Sequence, residues 1–140
     1  MIVLDTSGLL AAIDSSQQDH EQAAEALRAA RPPRVLSPFV LAELDYLLMT
    51  RVGQHAELAL LDEVTRGAYQ LEPIPPEDVV TCRSVIQRHL DLRLGLADAS
   101  IVVLAARFGS HDLLTLDDRN FRAVRALDGR PFRLLPADSE

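Results

Sequence analysis

Apolar residues along this chain fall into two kinds of stretch. Short continuous runs, such as Ile2-Val3-Leu4, are too unbroken for a half-exposed strand and predict buried strands. Strands are expected at 2–4, 34–37, 69–74, 112–115 and 132–135. Between them, apolar positions recur at helical spacing. Helices are expected at 7–14, with Thr6 or Ser7 as cap, and at 17–30, stopped by Arg31-Pro32-Pro33. Ser37 and Pro38 open a third helix, about 39–51, that is apolar almost all round and so predicts burial on most sides. Gly53 ends it, and 54–66 follows with Leu58, Leu61 and Val64 on one face. Helix 77–90 is amphipathic through Val79, Val80, Val85, Ile86 and Leu90. A strongly apolar helix starts near Leu94 and ends at Gly109, and a small one covers 121–127. Strands alternating with helices predict an α/β fold, a three-layer sandwich with a central, mostly parallel sheet flanked by helices.

Composition narrows this picture. At 140 residues with 48 % hydrophobic content, the chain suits one globular domain spanning 1–140. No apolar run is long enough to span a bilayer, the N-terminus lacks the basic region of a signal peptide, and Cys82 is the lone cysteine. A cytoplasmic setting with no membrane partner is expected. The net charge of −7 argues against a nucleic-acid partner at first sight. All 14 basic residues are arginines, however, which grip phosphate in a bidentate way. They cluster as Arg28, Arg31 and Arg34, and again as Arg119, Arg122, Arg125, Arg130 and Arg133. A cation-binding acidic site would bring the rest of the chain closer to neutrality.

Four acids stand where polar residues are unexpected. Asp5 ends a buried strand, where open α/β sheets bind ligands. Asp98 lies one turn before Ile101 and Val102 in an apolar helix, Glu43 one turn from Phe39 and from Leu47, and Asp117 two residues beyond the fourth strand. Charged groups rarely bury unless paired or bound to metal. Four carboxylates meeting at the carboxyl edge of the sheet would repel strongly without a cation. An oxygen-only donor set points to Mg²⁺ or Mn²⁺. Spacing leaves two choices open: Asp45 competes with Glu43, and Asp118 with Asp117, although Asp118 can equally cap the following helix. His20, His55, His89 and His111 belong to no recognisable catalytic motif.

Four segments in order, Val3-Leu4-Asp5-Thr6-Ser7, Ser37-Pro38 through Ala42-Glu43-Leu44, Leu96-Ala97-Asp98-Ala99-Ser100-Ile101, and Thr115-Leu116-Asp117 leading to Phe121, resemble the PIN-domain ribonucleases, in particular the VapC-type toxins of toxin–antitoxin pairs. The resemblance covers essentially the whole chain. It implies a PIN-like fold and an acidic quartet at Asp5, Glu43, Asp98 and Asp117, with Thr6 and Thr115 as polar neighbours of the metal. It further implies an endoribonuclease acting on structured RNA such as tRNA or rRNA, an antitoxin partner and a homodimer. The surplus apolar surface of 39–66 is the expected interface.

Rival chemistries fit less well. A phosphatase using Asp5 as nucleophile would want an acid at position 7, which is Ser7. A phosphorylated receiver domain would want a lysine. A dinucleotide-binding module would need a glycine-rich turn after Leu4. A catalytically inactive RNA-binding or scaffold protein on the same fold is the alternative, against which four retained acids argue.

Overall fold

The computed structural model describes residues 1–139. Five strands, β1 (Ile2–Leu4), β2 (Arg34–Leu36), β3 (Gln70–Leu71), β4 (Asp112–Leu114) and β5 (Arg133–Leu135), form one wholly parallel sheet in the order β3-β2-β1-β4-β5. The helices are α1 (Thr6–Ile13), α2 (His20–Ala29), α3 (Pro38–Arg51), α4 (Gln54–Thr65), α5 (Pro76–Arg88), α6 (Leu96–Phe108) and α7 (Asp118–Ala123). The central β1 is buried at every residue, as its unbroken apolar run requires. From β1 the chain builds one side of the sheet through β2 and β3, then crosses back to β4 and β5 on the other. The carboxyl ends of β1 and β4 therefore flank the point where strand order reverses, the usual place for a ligand crevice.

Several boundaries differ from expectation for identifiable reasons. The strand expected over 69–74 pairs only at Gln70 and Leu71, at the sheet edge, and Pro73 removes a donor needed to extend it. The second helix starts at His20, not Gln17. Asp14 accepts hydrogen bonds from the Ser16 amide and hydroxyl and from the Gln17 side chain, holding this stretch in a turn. The last helix starts at Asp118 because Asp117 caps it, not Asp118. Asp5 takes the N-cap position of α1, so neither Thr6 nor Ser7 caps that helix.

Burial also corrects the helical faces. α3 buries Val40, Leu44 and Leu48 but exposes Tyr46 and Met49. α4 buries Leu60, with Ala56 and Val64 packed against the core, and leaves Leu58 and Leu61 outside. In α5 the buried positions are Cys82 and Val85, whereas Val79 and Val80 are exposed, as is Leu90 beyond it. α6 is buried through a long continuous stretch, Ala99 to Ala105. Among the described residues, no helix is long and apolar enough to cross a membrane.

Most of the clustered arginines are committed internally. Arg28 pairs with Glu25, Arg122 with Asp138 and Arg133 with Asp112; Arg34 donates to the carbonyls of Leu27 and Ala30 at the end of α2, and Arg125 to that of Gly129. Arg107, outside both clusters, bridges Glu72 and Asp78 and so ties α6 to the β3–α5 segment. The histidines likewise serve local ends: His20 and His89 bond backbone carbonyls of Ala11 and Val85, and His111 pairs with Asp128.

Candidate active site

The carboxyl edge of the sheet carries a cleft of about 430 Å³, and Asp5, Glu43, Asp98 and Asp117 all line it, with Thr6 and Ser7. The competing acids are placed elsewhere. Asp45 turns toward α4, where its side chain meets that of Glu57 across the α3–α4 pair. Asp118 is exposed in the first turn of α7 and does not line the cleft.

Each acid is positioned by a different local device. Asp5 follows β1 directly, and its amide bonds the Leu114 carbonyl at 3.0 Å. Its Oδ2 accepts from the hydroxyls of Thr115 at 2.7 Å and Ser7 at 2.8 Å. Burial nevertheless pushes the Asp5 carboxyl above its ordinary range; the two hydroxyls and the Thr6 amide counter this, while the Asp117 charge adds to it. Asp98 stands in the first turn of α6 and reaches back to the Gly95 amide at 3.1 Å, closing that helix start as a capping carboxylate does. Its pKa is pushed up to about 6, chiefly by burial, with the Gly95 amide opposing and the charges of Asp5, Asp117 and Glu43 adding to the rise. Asp117 caps α7 through the Asn120 amide at 3.1 Å and accepts the Asn120 side-chain amide at 2.9 Å. Glu43 is exposed on the cleft-facing side of α3. Three of the four acids thus sit at helix N-termini, whose partial positive charge offsets part of the accumulated negative charge.

Thr115, which the resemblance implies as a polar neighbour of a metal, stands beside Asp5 and donates to it. It also accepts the Asp117 amide at 2.9 Å, so one hydroxyl orients two of the acids. Ser7 links the same parts: it donates to Asp5, lies 3.3 Å from the Thr115 hydroxyl and accepts the Leu116 amide at 3.0 Å. The sequence pattern points to Ser7 only as a cap. The available signal was a hydroxyl two residues past the strand-end acid, but the Thr115 and Leu116 groups it joins to that acid are more than a hundred residues away. Ser7→Ala is expected to strand the Leu116 amide and loosen Asp5, costing about 1–3 kcal/mol of stability. Thermal melts of the variant check this.

Thr6 sits at the cleft with its Oγ1 buried, the buried side-chain polar atom without a protein partner among the described residues. Such an atom calls for a further oxygen or cation neighbour. Among the described residues, no three His, Cys, Asp or Glu side chains are gathered tightly enough to grip an ion directly. The carboxylates ring the cleft instead, as mutual repulsion favours. This spread fits Mg²⁺, which keeps several waters and takes only one or two carboxylates directly. An all-oxygen ring with an orphaned hydroxyl at its edge is a donor set for a hard, hydrated divalent cation.

The PIN domain family model matches residues 2–127. Ribonuclease VapC26 of Mycobacterium tuberculosis is 41 % identical over 135 residues, covering 96 % of this chain and all of that protein. Among solved structures, the Mycobacterium tuberculosis sarcin–ricin-loop-cleaving toxin VapC20 superposes with a TM-score of 0.82 at 22 % identity, over 94 % of this chain and 100 % of that one. A toxin–antitoxin complex from Klebsiella pneumoniae gives 0.70 at 19 %, over 90 % and 94 % of the two chains. FitAcB from Neisseria gonorrhoeae gives 0.60 at 20 %, over 95 % and 97 %. These structural likenesses establish the fold, and the extended sequence identity places the chain more narrowly. The five-stranded parallel sheet, the acid-lined cleft at its switch point and these relationships together mean that the chain belongs to the PIN-domain family, and within it to the VapC ribonucleases.

Proposed function

We propose that this protein is a divalent-metal-dependent endoribonuclease that cleaves structured RNA, tRNA or rRNA, as the toxin of a toxin–antitoxin pair acting in the cytoplasm to arrest translation and growth. The observation that carries this reading is the meeting of Asp5, Glu43, Asp98 and Asp117, from four separated segments, around one cleft. The relatives named as a ribonuclease and as toxins support it.

A Mg²⁺ or Mn²⁺ ion bound there supplies Lewis acidity and a water of lowered pKa. Asp5, the most enclosed of the carboxylates, would hold it together with Asp98, with Asp117 and Glu43 completing the ring. Thr115 and Ser7 keep the Asp5 carboxylate aimed into the cleft. Asn120 does the same for Asp117 through its side-chain amide. Glu43, open to solvent, is placed to accept hydrogen bonds from water entering with the substrate. Thr6 lines the same cleft and would stand beside the ion as a polar neighbour. Substrate recognition through RNA shape and backbone suits a chain with 4 % aromatics and no tryptophan. The exposed apolar residues of α3 and α4, Tyr46, Met49, Leu58 and Leu61, suit both self-association and an antitoxin partner.

Cleavage of tRNA and rRNA is expected in Mg²⁺ or Mn²⁺, abolished by chelation and restored by re-addition of the metal. Products should carry 5′-phosphate and 3′-hydroxyl ends, as attack by water gives. A 2′,3′-cyclic phosphate product would refute this mechanism. Binding of RNA with no cleavage under any divalent ion would favour a non-catalytic scaffold.

A further inference from the structure

The cleft that the acids line also contains one arginine. Arg51 closes α3, eight residues beyond Glu43 and four beyond Leu47, and all three side chains line the cleft. At 1.5 Å per residue, Arg51 stands about 12 Å along the helix from Glu43. A cation in a last helical turn is favourable on general grounds. That preference does not explain why this one faces the cleft. Arg51 is exposed, and among the described residues no carboxylate forms an ion pair with it, although four line the same cleft. The clustered arginines that pattern alone nominates for RNA are largely spent on Glu25, Asp138, Asp112 and backbone carbonyls.

We infer that Arg51 is a substrate-binding residue that grips an RNA backbone phosphate a few nucleotides away from the scissile one. The inference rests on the ribonuclease reading above and adds the substrate contact that reading leaves unassigned. Distance decides which phosphate is involved. The offset of about 12 Å is between backbone positions along α3 and places Arg51 more than two helical turns beyond the acid of the same helix. An RNA strand carries one phosphate per nucleotide, so a strand threaded along α3 presents a different phosphate at Arg51 from the one at the acids. The guanidinium fork matches two phosphate oxygens at once. A site-lining arginine at this distance draws the anionic strand into an acidic cleft that would otherwise repel it, and it sets the strand's direction.

The test uses a fluorescein-labelled RNA hairpin that the wild-type protein cleaves, with binding measured by anisotropy in the Asp98→Asn background so that the RNA stays intact. Arg51→Ala is expected to weaken binding about 5- to 30-fold. It should also flatten the dependence of log Kd on log salt by about 0.7–0.9. Arg51→Lys should restore the slope and part of the affinity. In the otherwise wild-type protein the loss should fall on KM more than on kcat. Unchanged affinity and slope in folded Arg51→Ala overturn the inference while leaving the ribonuclease reading intact. So does an affinity loss with an unchanged slope, or a variant altered only in metal affinity. A wild-type protein that neither binds nor cleaves RNA overturns the ribonuclease reading, and this inference with it.

Discussion

Asp98→Asn is expected to reduce RNA cleavage by more than about 100-fold while leaving the metal-free protein more stable than the wild type. The activity loss follows from removing a carboxylate of the proposed metal-binding ring; even residues that merely orient metal ligands are worth roughly 10- to 100-fold. The stability gain follows chiefly from the burial of this carboxylate, with the charges of Asp5, Asp117 and Glu43 adding to it. Asp98 is partly enclosed among three other acids and its pKa is pushed up to about 6 from 3.8. Its protonated form therefore contributes stability that is fully present below about pH 4, and this contribution is lost as pH rises through about 6. Above that pH the wild-type protein carries an unfavourable charge that asparagine lacks. The amide oxygen of the substituted side chain can still accept the Gly95 N–H, so the start of α6 is preserved. Allowing for partial solvent exposure, the difference should be about 1 kcal/mol near pH 8, or roughly 2–4 °C in melting temperature. It should vanish near pH 4, and saturating Mn²⁺ should reverse it by stabilising only the wild type. Melts across pH, with and without metal, measure all three. A destabilised Asp98→Asn protein at pH 8 without metal would contradict the electrostatic account, and undiminished cleavage would remove Asp98 from the site.

Gly8→Ala should be the most damaging single-methyl change near the cleft. A Cβ at Gly8 would lie 2.4 Å from the Leu114 carbonyl oxygen and 2.7 Å from the Thr115 amide nitrogen. Both are backbone atoms of the β4 end and cannot swing aside as a flexible side chain can. Alanine normally favours a helix by about 1 kcal/mol over glycine. Here the overlap should outweigh that gain and leave a net loss of about 3 kcal/mol, the upper end of typical overpacking costs. The melting temperature should drop by about 6–12 °C. Because α1 would be pushed off β4, the Ser7–Asp5–Thr115 bonds would open, and cleavage should fall even at temperatures where the variant is folded. Gly95→Ala is the control. Its added methyl meets the nearest atom outside its immediate neighbours, Asp98 Oδ2, at 3.9 Å, an ordinary contact. It should cost less than about 1 kcal/mol. A Gly8→Ala protein as stable as Gly95→Ala would show that α1 can shift without loss.

The element types and the acids at strand ends were legible in the amino-acid order because both depend on local rules. An unbroken apolar triplet before Asp5 requires a strand buried on both faces, and the residue that follows it must emerge at the sheet edge. Ser37-Pro38 marks a helix start by backbone chemistry alone, and Ser37 does bond the Phe39 amide. The β3 and α2 limits were not legible, because pairing with a single neighbour and a turn built around Asp14 set them.

Which face of α3 meets the cleft was another matter. In a helix apolar almost all round, residues two apart point about 200° from each other, yet nothing local says which direction is inward. Only packing through Val40, Leu44 and Leu48 turned Glu43 and Arg51 toward the cleft and Asp45 toward α4. The choice of Asp117 over Asp118 likewise rested on which of them caps α7. Ser7, Thr115 and Gly8 gained their roles only when the parallel pairing of β1 with β4 brought the two ends of the chain together. Residue type and local period are written in the amino-acid order, and they limit which chemistry the chain can carry. The tertiary structure decided which carboxylates and which arginine share one cleft, because direction in space is set by partners distant in sequence.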